Sequence, residues 1–179
     1  ELPVPVLGVI EPGAKRAVHA TRANHIGVIG TSGTINSGKY QAAIREYAPN
    51  ARVSTKPCPL FVPLAEEGWI DGPVPEQIAS AYRVELCELG IDTLILGCTH
   101  YPLLRAVIAR AAGPGVTLVD SAEATAESVA DVLTHQGDAN NGHTKGAHTF
   151  LVTDAPDSFA RVGRHFLADD IKEVEWVDI

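Results

Sequence analysis

The chain has 179 residues, of which 45% are hydrophobic and 20% are charged, a composition typical of one soluble globular domain or two small lobes. Its formal net charge of −8 argues against nucleic acid or an anionic membrane as the main partner, and its apolar runs are too short to cross a bilayer. The sequence contains no methionine, and we expect it to be a piece of a longer protein.

Short apolar runs that alternate with helical patterns predict an α/β fold with a mainly parallel sheet. Near-continuous apolar runs such as 93–97 are typical of strands that are covered on both faces. The predicted strands are 6–10, 25–30, 51–55, 92–97, 116–120, 148–153 and 173–179. The predicted helices are 13–22, 37–47, 75–89, 102–112, 121–135 and 156–168.

The sequence also has one histidine-rich segment and three scattered cysteines. Segment 134–149, rich in glycine, asparagine and histidine, is predicted to be an exposed loop. No carboxylate or cysteine completes a ligand set at regular spacing with His135, His143 and His148, so we predict no metal site. The cysteines are Cys58, Cys87 and Cys98. They follow no zinc-binding spacing, so we expect reduced thiols in a cytoplasmic protein.

Segment 27–40, "GVIGTSGTINSGKY", is the first candidate site. Residues 33–39 fit G-x-x-x-x-G-K, the phosphate-binding loop, between a predicted strand and a predicted helix. Tyr40 follows where that motif needs Ser or Thr to bind magnesium, so nucleotide binding is the weaker of two interpretations. The other is a polar loop at the carboxyl end of a strand, in which Thr31 and Thr34 bind a small anion such as a carboxylate.

Segment 58–74, "CPLFVPLAEEGWIDGPV", is the second candidate. The prolines that lie between positions 57 and 63 predict that no regular helix forms there. Glu66 and Glu67 follow an apolar stretch. They are either a surface acidic pair that caps a short helix, or one of them turns into a pocket and raises the basicity of a neighbour.

The run "TLILGCTHYPLLRAVIARAA" at 93–112 is the third candidate. In open α/β sheets ligands bind at the carboxyl ends of strands, and Cys98 occupies such a position. Because Pro102 is expected to start a helix, we expect the nearby positive helix end to lower the pKa of Cys98. His100 is then placed to orient or receive a proton. A plain packing role for Cys98 stays open on the residues alone.

Several segments resemble those of the glutamate racemases, in the same order along the chain. They are "GVIEPGAKRA" (8–17), "IGTSGTINSGKY" (29–40), "CPLFVPLAEEG" (58–68), "LILGCTHYPLL" (94–104) and "LVDSAEATA" (118–126). The resemblance implies a parallel-sheet sandwich of the aspartate/glutamate racemase type, with one complete lobe and part of a second. It also implies cofactor-independent interconversion of L- and D-glutamate by two thiols, which supplies D-glutamate for peptidoglycan.

The resemblance also assigns roles to individual residues. "GCTHYP" matches the family's second catalytic-cysteine motif, which makes Cys98 one acid–base group and Thr99 and His100 substrate contacts. His100 would also assist Cys98, and Glu66 matches the carboxylate that supports this cysteine–histidine side. Its neighbour Glu67 is the alternative for that carboxylate. The implied substrate is a small molecule, glutamate, and a homodimer is left open.

One departure from the family is large. The family's first catalytic cysteine lies in a Cys-Asn-Thr motif, which these 179 residues do not contain. We therefore expect the chain to be the C-terminal two-thirds of such an enzyme, inactive without its N-terminal segment. The implied organisation is an inter-lobe segment at 1–13, a continuous lobe at 14–120 and a returning part of the other lobe at 121–179. The alternatives are a racemase of aspartate or a related acid, a phosphate-loop nucleotide-binding domain, and a non-catalytic fragment.

Overall fold

The computed structural model describes residues 4–87, 89–140, 142, 146–167, 171 and 173–178, without the side chains of 84, 85 and 87. The chain divides into two compact units, Glu1–Ala139 and Asn140–Ile179. Over the described residues, no helix combines the length and the apolar character that a bilayer span needs. The predicted lobe boundaries at 13 and 120 refer to a complete two-lobed enzyme and stay predictions.

The first unit is built from four strands and the helices between them. Its strands are β1 (His25–Gly30), β2 (Arg52–Pro57), β3 (Thr93–Leu96) and β4 (Thr117–Asp120). Its helices are α1 (Ile10–Ala20), α2 (Ser32–Asn36), α3 (Lys39–Tyr47), α4 (Phe61–Glu66), α5 (Pro73–Cys87), α6 (Arg105–Ala112) and α7 (Ser121–Gln136). A 3-10 helix, Tyr101–Leu104, precedes α6. The second unit contains β5 (Leu151–Val152), α8 (Pro156–Leu167) and β6 (Glu175–Trp176).

The four strands form one parallel sheet in the order β2-β1-β3-β4, which confirms the predicted α/β class. The fully buried strands β1 and β3 occupy its centre, as their apolar runs predicted. In the second unit β5 and β6 also pair in parallel, but each is only two residues long. The predicted strands at 148–153 and 173–179 are therefore much shorter in the structure.

The sheet separates two hydrophobic cores because successive side chains of a strand point to opposite faces. Val28 and Ile95 pair across β1 and β3 and belong to one core, with Ala14 of α1 and Ile44 of α3. The opposite core holds side chains of β1, β3 and the helices from α4 to α6: Ile29, Leu94, Leu96, Phe61, Leu86 and Val107. Each such side chain stabilises the fold by about 1.5–3 kcal/mol when it leaves water.

The predicted strand at 6–10 is wrong. Residues 5–8 adopt no helix or strand, and α1 begins at Ile10. Val6 and Val9 are 74% and 52% exposed, and none of the described strands pairs with this apolar run. Pro12 is the third residue of α1, where a missing backbone N–H costs no intrahelical hydrogen bond.

The short helices α2 and α4 were not predicted, and at α4 the prolines predicted that no regular helix forms. Pro63 is the third residue of α4 and therefore lies within the first turn, so it does not break the helix. Helix α2 begins after Thr31, whose side chain accepts a hydrogen bond from the N–H of Thr34. The predicted helix at 102–112 begins as a 3-10 helix with Pro102 in its first turn, and only then continues as α6.

The histidine-rich segment is only partly described. His135 belongs to α7, which ends at Gln136, and its Nδ1 lies 2.7 Å from the carbonyl oxygen of Asp131. The described residues of 137–149 adopt neither helix nor strand. His143 lies outside the described residues.

Asp92 joins the start of β3 to the loop that leads from α1 into β1. Its carboxylate accepts hydrogen bonds from the Thr21 hydroxyl at 2.5 Å and from the N–H groups of Arg22 and Ala23 at 2.6 Å. Its carbonyl accepts a hydrogen bond from the N–H of Thr117 at 2.8 Å, which ties the start of β4 to the same point. Burial raises the pKa of Asp92, but these donors outweigh burial and bring it to about 2.

The Asp92→Asn variant is expected to lower the free energy of unfolding by about 1–3 kcal/mol at neutral pH, because a charged acceptor is lost. The folded pKa lies below the ordinary value of 3.8, so the carboxylate stabilises the fold above about pH 4 and this contribution disappears as the pH falls toward 2. Urea unfolding at neutral pH and at about pH 2.5 measures both effects.

The control is Asp71→Asn, which removes an exposed carboxylate that pairs with Arg110 and is expected to cost less stability. Equal losses for Asp71→Asn and Asp92→Asn at neutral pH would contradict the role given to Asp92. So would an Asp92→Asn effect that persists unchanged in acid.

Candidate active site

The carboxyl ends of three neighbouring strands lie side by side and border one cleft. Ile29 of β1 pairs with Leu96 of β3, and Leu96 pairs with Asp120 of β4. A cleft of about 310 Å³ opens just beyond this row, a volume within the usual range for small-molecule sites. Its polar and reactive lining comes from Thr34, Tyr40, Cys98, Thr99, Asp120 and Ser121.

Cys98 lies in a tight turn at the end of β3. The N–H of Gly97 donates to the carbonyl of Ile29 at 2.8 Å, and the N–H of Tyr101 donates to the carbonyl of Cys98 at 3.2 Å. Cys98 Sγ is 3.9 Å from His100 Nδ1, within hydrogen-bonding range for sulfur. His100 Nε2 is 3.4 Å from Glu66 Oε1. The structure thus brings Cys98, His100 and Glu66 into one continuous row.

The expected lowering of the Cys98 pKa is wrong, because burial raises it above its ordinary value of 9.0. The N–H groups of His100 and Tyr101 and the hydroxyl of Thr99 lower the pKa, but burial outweighs them. Cys98 is therefore a neutral thiol at neutral pH and needs a base to become a nucleophile or a proton acceptor.

The two adjacent glutamates separate in the structure. Glu66 is the last residue of α4 and contacts His100, whereas Glu67 borders a different groove with Leu60 and Trp69. The Glu66 side chain is 49% exposed and that of His100 is 27% exposed. Glu66 is therefore the carboxylate positioned to orient the imidazole.

Two of the three predicted threonines line the cleft, and the third is hydrogen-bonded to one of them. Thr34 and Thr99 line the same cleft as Cys98. The Thr31 hydroxyl lies 3.0 Å from the Thr34 hydroxyl and accepts the N–H of Thr34 at 3.3 Å, so it holds Thr34 in place. Thr34 and Thr99 thus offer hydroxyl groups to a polar ligand in the cleft.

Comparison with known proteins fits this site. A family model described as Asp/Glu/Hydantoin racemase matches residues 1–129. The chain belongs to this racemase family. It is 49% identical to the glutamate racemase of Geobacter metallireducens over 178 residues, which cover 99% of the chain and 66% of the relative. The family predicted from the sequence segments is therefore confirmed.

Solved structures of racemases have the same fold. A crystal structure of a glutamate racemase isoform from Bacillus anthracis matches 99% of the chain and 65% of its own, with a TM-score of 0.89 and 35% identity. A glutamate racemase from Francisella tularensis in complex with D-glutamate matches 98% of the chain and 65% of its own, with a TM-score of 0.88 and 34% identity. The chain thus spans about 65% of the length of these relatives.

The structure does not support the phosphate-loop alternative in this racemase-family chain. A phosphate-binding loop directs several successive N–H groups at its ligand. Here segment 31–38 forms α2 and its turn, so the N–H groups of Ile35, Ser37 and Gly38 donate to carbonyl groups of the same segment. The N–H of Thr34 donates to the Thr31 side chain. These amides are occupied and cannot surround a phosphate.

Sequence reasoning missed the residues that shape the wall beside Cys98. Tyr40 is 3% exposed, and its hydroxyl lies 2.9 Å from the Ser121 hydroxyl, which joins α3 to α7. A Cβ on Gly97 would lie 2.9 Å from the Ile29 carbonyl oxygen and 3.0 Å from the Tyr40 ring, so only glycine fits there. An aspartate before a helical pattern is a signal for a helix cap, and Asp120 indeed accepts the N–H of Ala122 at 2.8 Å.

The other thiols do not share the environment of Cys98. Cys58 is fully buried, and its Sγ lies 3.7 Å from the Lys56 carbonyl oxygen. Cys87 ends α5, and its side chain lies outside the described part of the protein. Cys98 is thus the described thiol that reaches the cleft.

Iodoacetamide is expected to alkylate Cys98 well before Cys58, because only the former borders the cleft. The Cys98 rate should still rise above pH 9, since burial keeps the pKa of this thiol above 9.0. Timed alkylation with peptide mapping gives both rates, and Cys98→Ala is the control for the assignment. Faster labelling of Cys58, or a Cys98 rate that is already constant at neutral pH, would contradict this account of the site.

Proposed function

We propose that the native protein that carries these 179 residues interconverts L- and D-glutamate by moving the proton at Cα. The observation that carries this proposal is the row from Cys98 through His100 to Glu66 at the edge of the cleft. A thiol beside an imidazole, with a carboxylate on the far side of the imidazole, is an arrangement for proton transfer. The glutamate racemase of Geobacter metallireducens, at 49% identity, supports glutamate as the substrate.

Because the pKa of Cys98 is raised, the proposed mechanism needs His100 to accept the thiol proton. As burial favours the neutral thiol, the thiolate forms when the imidazole accepts its proton through Nδ1. Glu66, 3.4 Å from Nε2, then stabilises the positive imidazolium. The Cys98 thiolate removes the α-proton of the substrate on its own face, and in the reverse direction the Cys98 thiol returns a proton there. This chemistry requires no cofactor.

Inversion at Cα needs a second acid–base group, because the proton leaves from one face and returns to the other. Cys58 is fully buried in a hydrophobic core and does not line the cleft that Cys98 borders. The resemblance assigns the opposing cysteine to a Cys-Asn-Thr motif that these residues do not contain. We place that cysteine in the part of the relatives' length that this chain does not cover.

We assign substrate binding to Thr34 and Thr99, with Thr31 behind Thr34 and His100 beside Thr99. Hydroxyl groups donate hydrogen bonds to a carboxylate and add no charge that would disturb the reacting centre. D-glutamate is a component of bacterial peptidoglycan, so the proposed product is a cell-wall precursor. Aspartate remains the alternative acid, and the test below includes it.

The Cys98→Ser variant of the native protein is expected to lose about 10²–10⁴-fold in turnover, because a hydroxyl is a much weaker base than a thiolate. Circular dichroism follows the conversion of L-glutamate to D-glutamate, with L-aspartate as the parallel substrate. Cys58→Ala removes a thiol that does not border the cleft and should leave turnover nearly unchanged.

Comparable turnover by Cys98→Ser and the unmodified protein would rule out Cys98 as an acid–base group. Faster conversion of aspartate than of glutamate would reassign the substrate and leave the mechanism in place. An unmodified protein that converts neither acid would overturn the proposed function.

A further inference from the structure

Tyr101 connects the Cys98 turn to the segment that carries Glu66. Its side chain is fully buried, although it directly follows the partly exposed His100. Its hydroxyl donates to the carbonyl of Cys58 at 2.7 Å, and its N–H donates to the carbonyl of Cys98 at 3.2 Å. One residue is therefore bonded both to the turn at the end of β3 and to the segment between β2 and α4.

The aromatic packing around Tyr101 fixes the start of α4. Phe61, the first residue of α4, packs edge to face on Tyr101, with ring centroids 5.2 Å apart and an interplanar angle of 84°. On its other side Phe61 packs on Tyr82, at 5.1 Å and 80°. The Tyr82 hydroxyl accepts the N–H of Leu60 at 3.2 Å. Both tyrosines thus hold the same helix start, but only Tyr101 also belongs to the Cys98 turn.

The contact between His100 and Glu66 joins the turn after β3 to α4, which are the two parts that Tyr101 also connects. The two side chains are 27% and 49% exposed, so their own burial does little to fix a separation of 3.4 Å. A half-exposed glutamate loses rotamer freedom when it stays beside a partner, and exposed ion pairs alone contribute little. Tyr101 links the backbone segments that carry these two side chains.

We propose that Tyr101 is a positioning residue for the proposed proton transfer, whose hydroxyl on the Cys58 carbonyl holds His100 against Glu66. The inference rests on the proposed function and adds a residue that neither contacts the substrate nor titrates during the reaction. Burial raises the pKa of Tyr101, so its hydroxyl remains a protonated donor at any working pH.

The test compares Tyr101→Phe with Tyr82→Phe in the native protein. Each change removes one hydroxyl that bonds to the backbone beside Phe61, and each keeps the ring. Tyr101→Phe is expected to lower kcat about five- to tenfold and to change KM by a smaller factor, since Thr34 and Thr99 keep their hydroxyl groups in the cleft. Tyr82→Phe should leave kcat nearly unchanged, and thermal unfolding shows whether both variants fold.

Each variant is then combined with Glu66→Gln. If Tyr101 acts through the contact between His100 and Glu66, the double variant should lose little more kcat than the larger of the two single losses. With Tyr82→Phe the effects should multiply, because no shared contact is affected. A conservative Glu66→Asp change tests the same contact without removing the charge.

Tyr101→Phe and Tyr82→Phe variants with the same kcat would overturn the inference and leave the proposed function standing. Multiplying effects of Tyr101→Phe and Glu66→Gln would also overturn it, because they would indicate a merely structural role for the tyrosine. An unmodified protein without racemase activity would overturn the proposed function and this inference together.

Discussion

The register of the central parallel strands is the constraint on which the rest of the structure depends. Ile29, Leu96 and Asp120 pair in one row across β1, β3 and β4, so the loops that follow these strands leave the sheet at the same edge. A shift by one residue would turn Leu94 and Leu96 from their core to the opposite face. Burial of these side chains therefore fixes the register, and the register places Cys98 beside Thr34 and Ser121.

The same packing that places Cys98 also limits its chemistry. A thiol at the end of a buried strand is removed from water, and this raises its pKa and favours the neutral form. His100 lies within hydrogen-bonding reach of the sulfur, and Glu66 contacts the far nitrogen of the His100 ring. A buried strand end thus sets the position of the thiol, and in the proposed mechanism the partly exposed His100 and Glu66 move its proton.

The sheet was predictable because its signal is local. The apolar runs of β1 and β3 are close to continuous, and buried parallel strands have that pattern. The run at 6–10 has a similar composition, but it pairs with none of the strands in the described part of the chain, and no local pattern distinguishes it from a true strand. Helix α4 was missed because Pro63 reads as a helix breaker, whereas its effect depends on where the helix starts.

The sequence pointed to residues that lie together in the structure, but it did not indicate their energetics. Motifs pointed to Cys98, His100 and Glu66, yet the sign of the Cys98 pKa shift depends on burial, which the sequence does not state. The part played by Tyr101 depends on a hydrogen bond to a residue 43 positions away, and no spacing rule predicts such a bond. Contacts between residues so far apart in sequence form only in the folded protein, so the sequence alone does not indicate them.

We propose that Cys98 removes and returns the proton on one face of glutamate Cα. Hydrogen exchange in heavy water tests this role most directly. Proton NMR follows the loss of the Cα–H signal of each enantiomer with the unmodified native protein and with Cys98→Ala. The unmodified protein should exchange both enantiomers. The Cys98→Ala protein should lose exchange of one enantiomer and retain it for the other, since the opposing group still removes and returns hydrogen on its own face. Equal slowing of both enantiomers, or undiminished exchange of both, would contradict the assignment of Cys98.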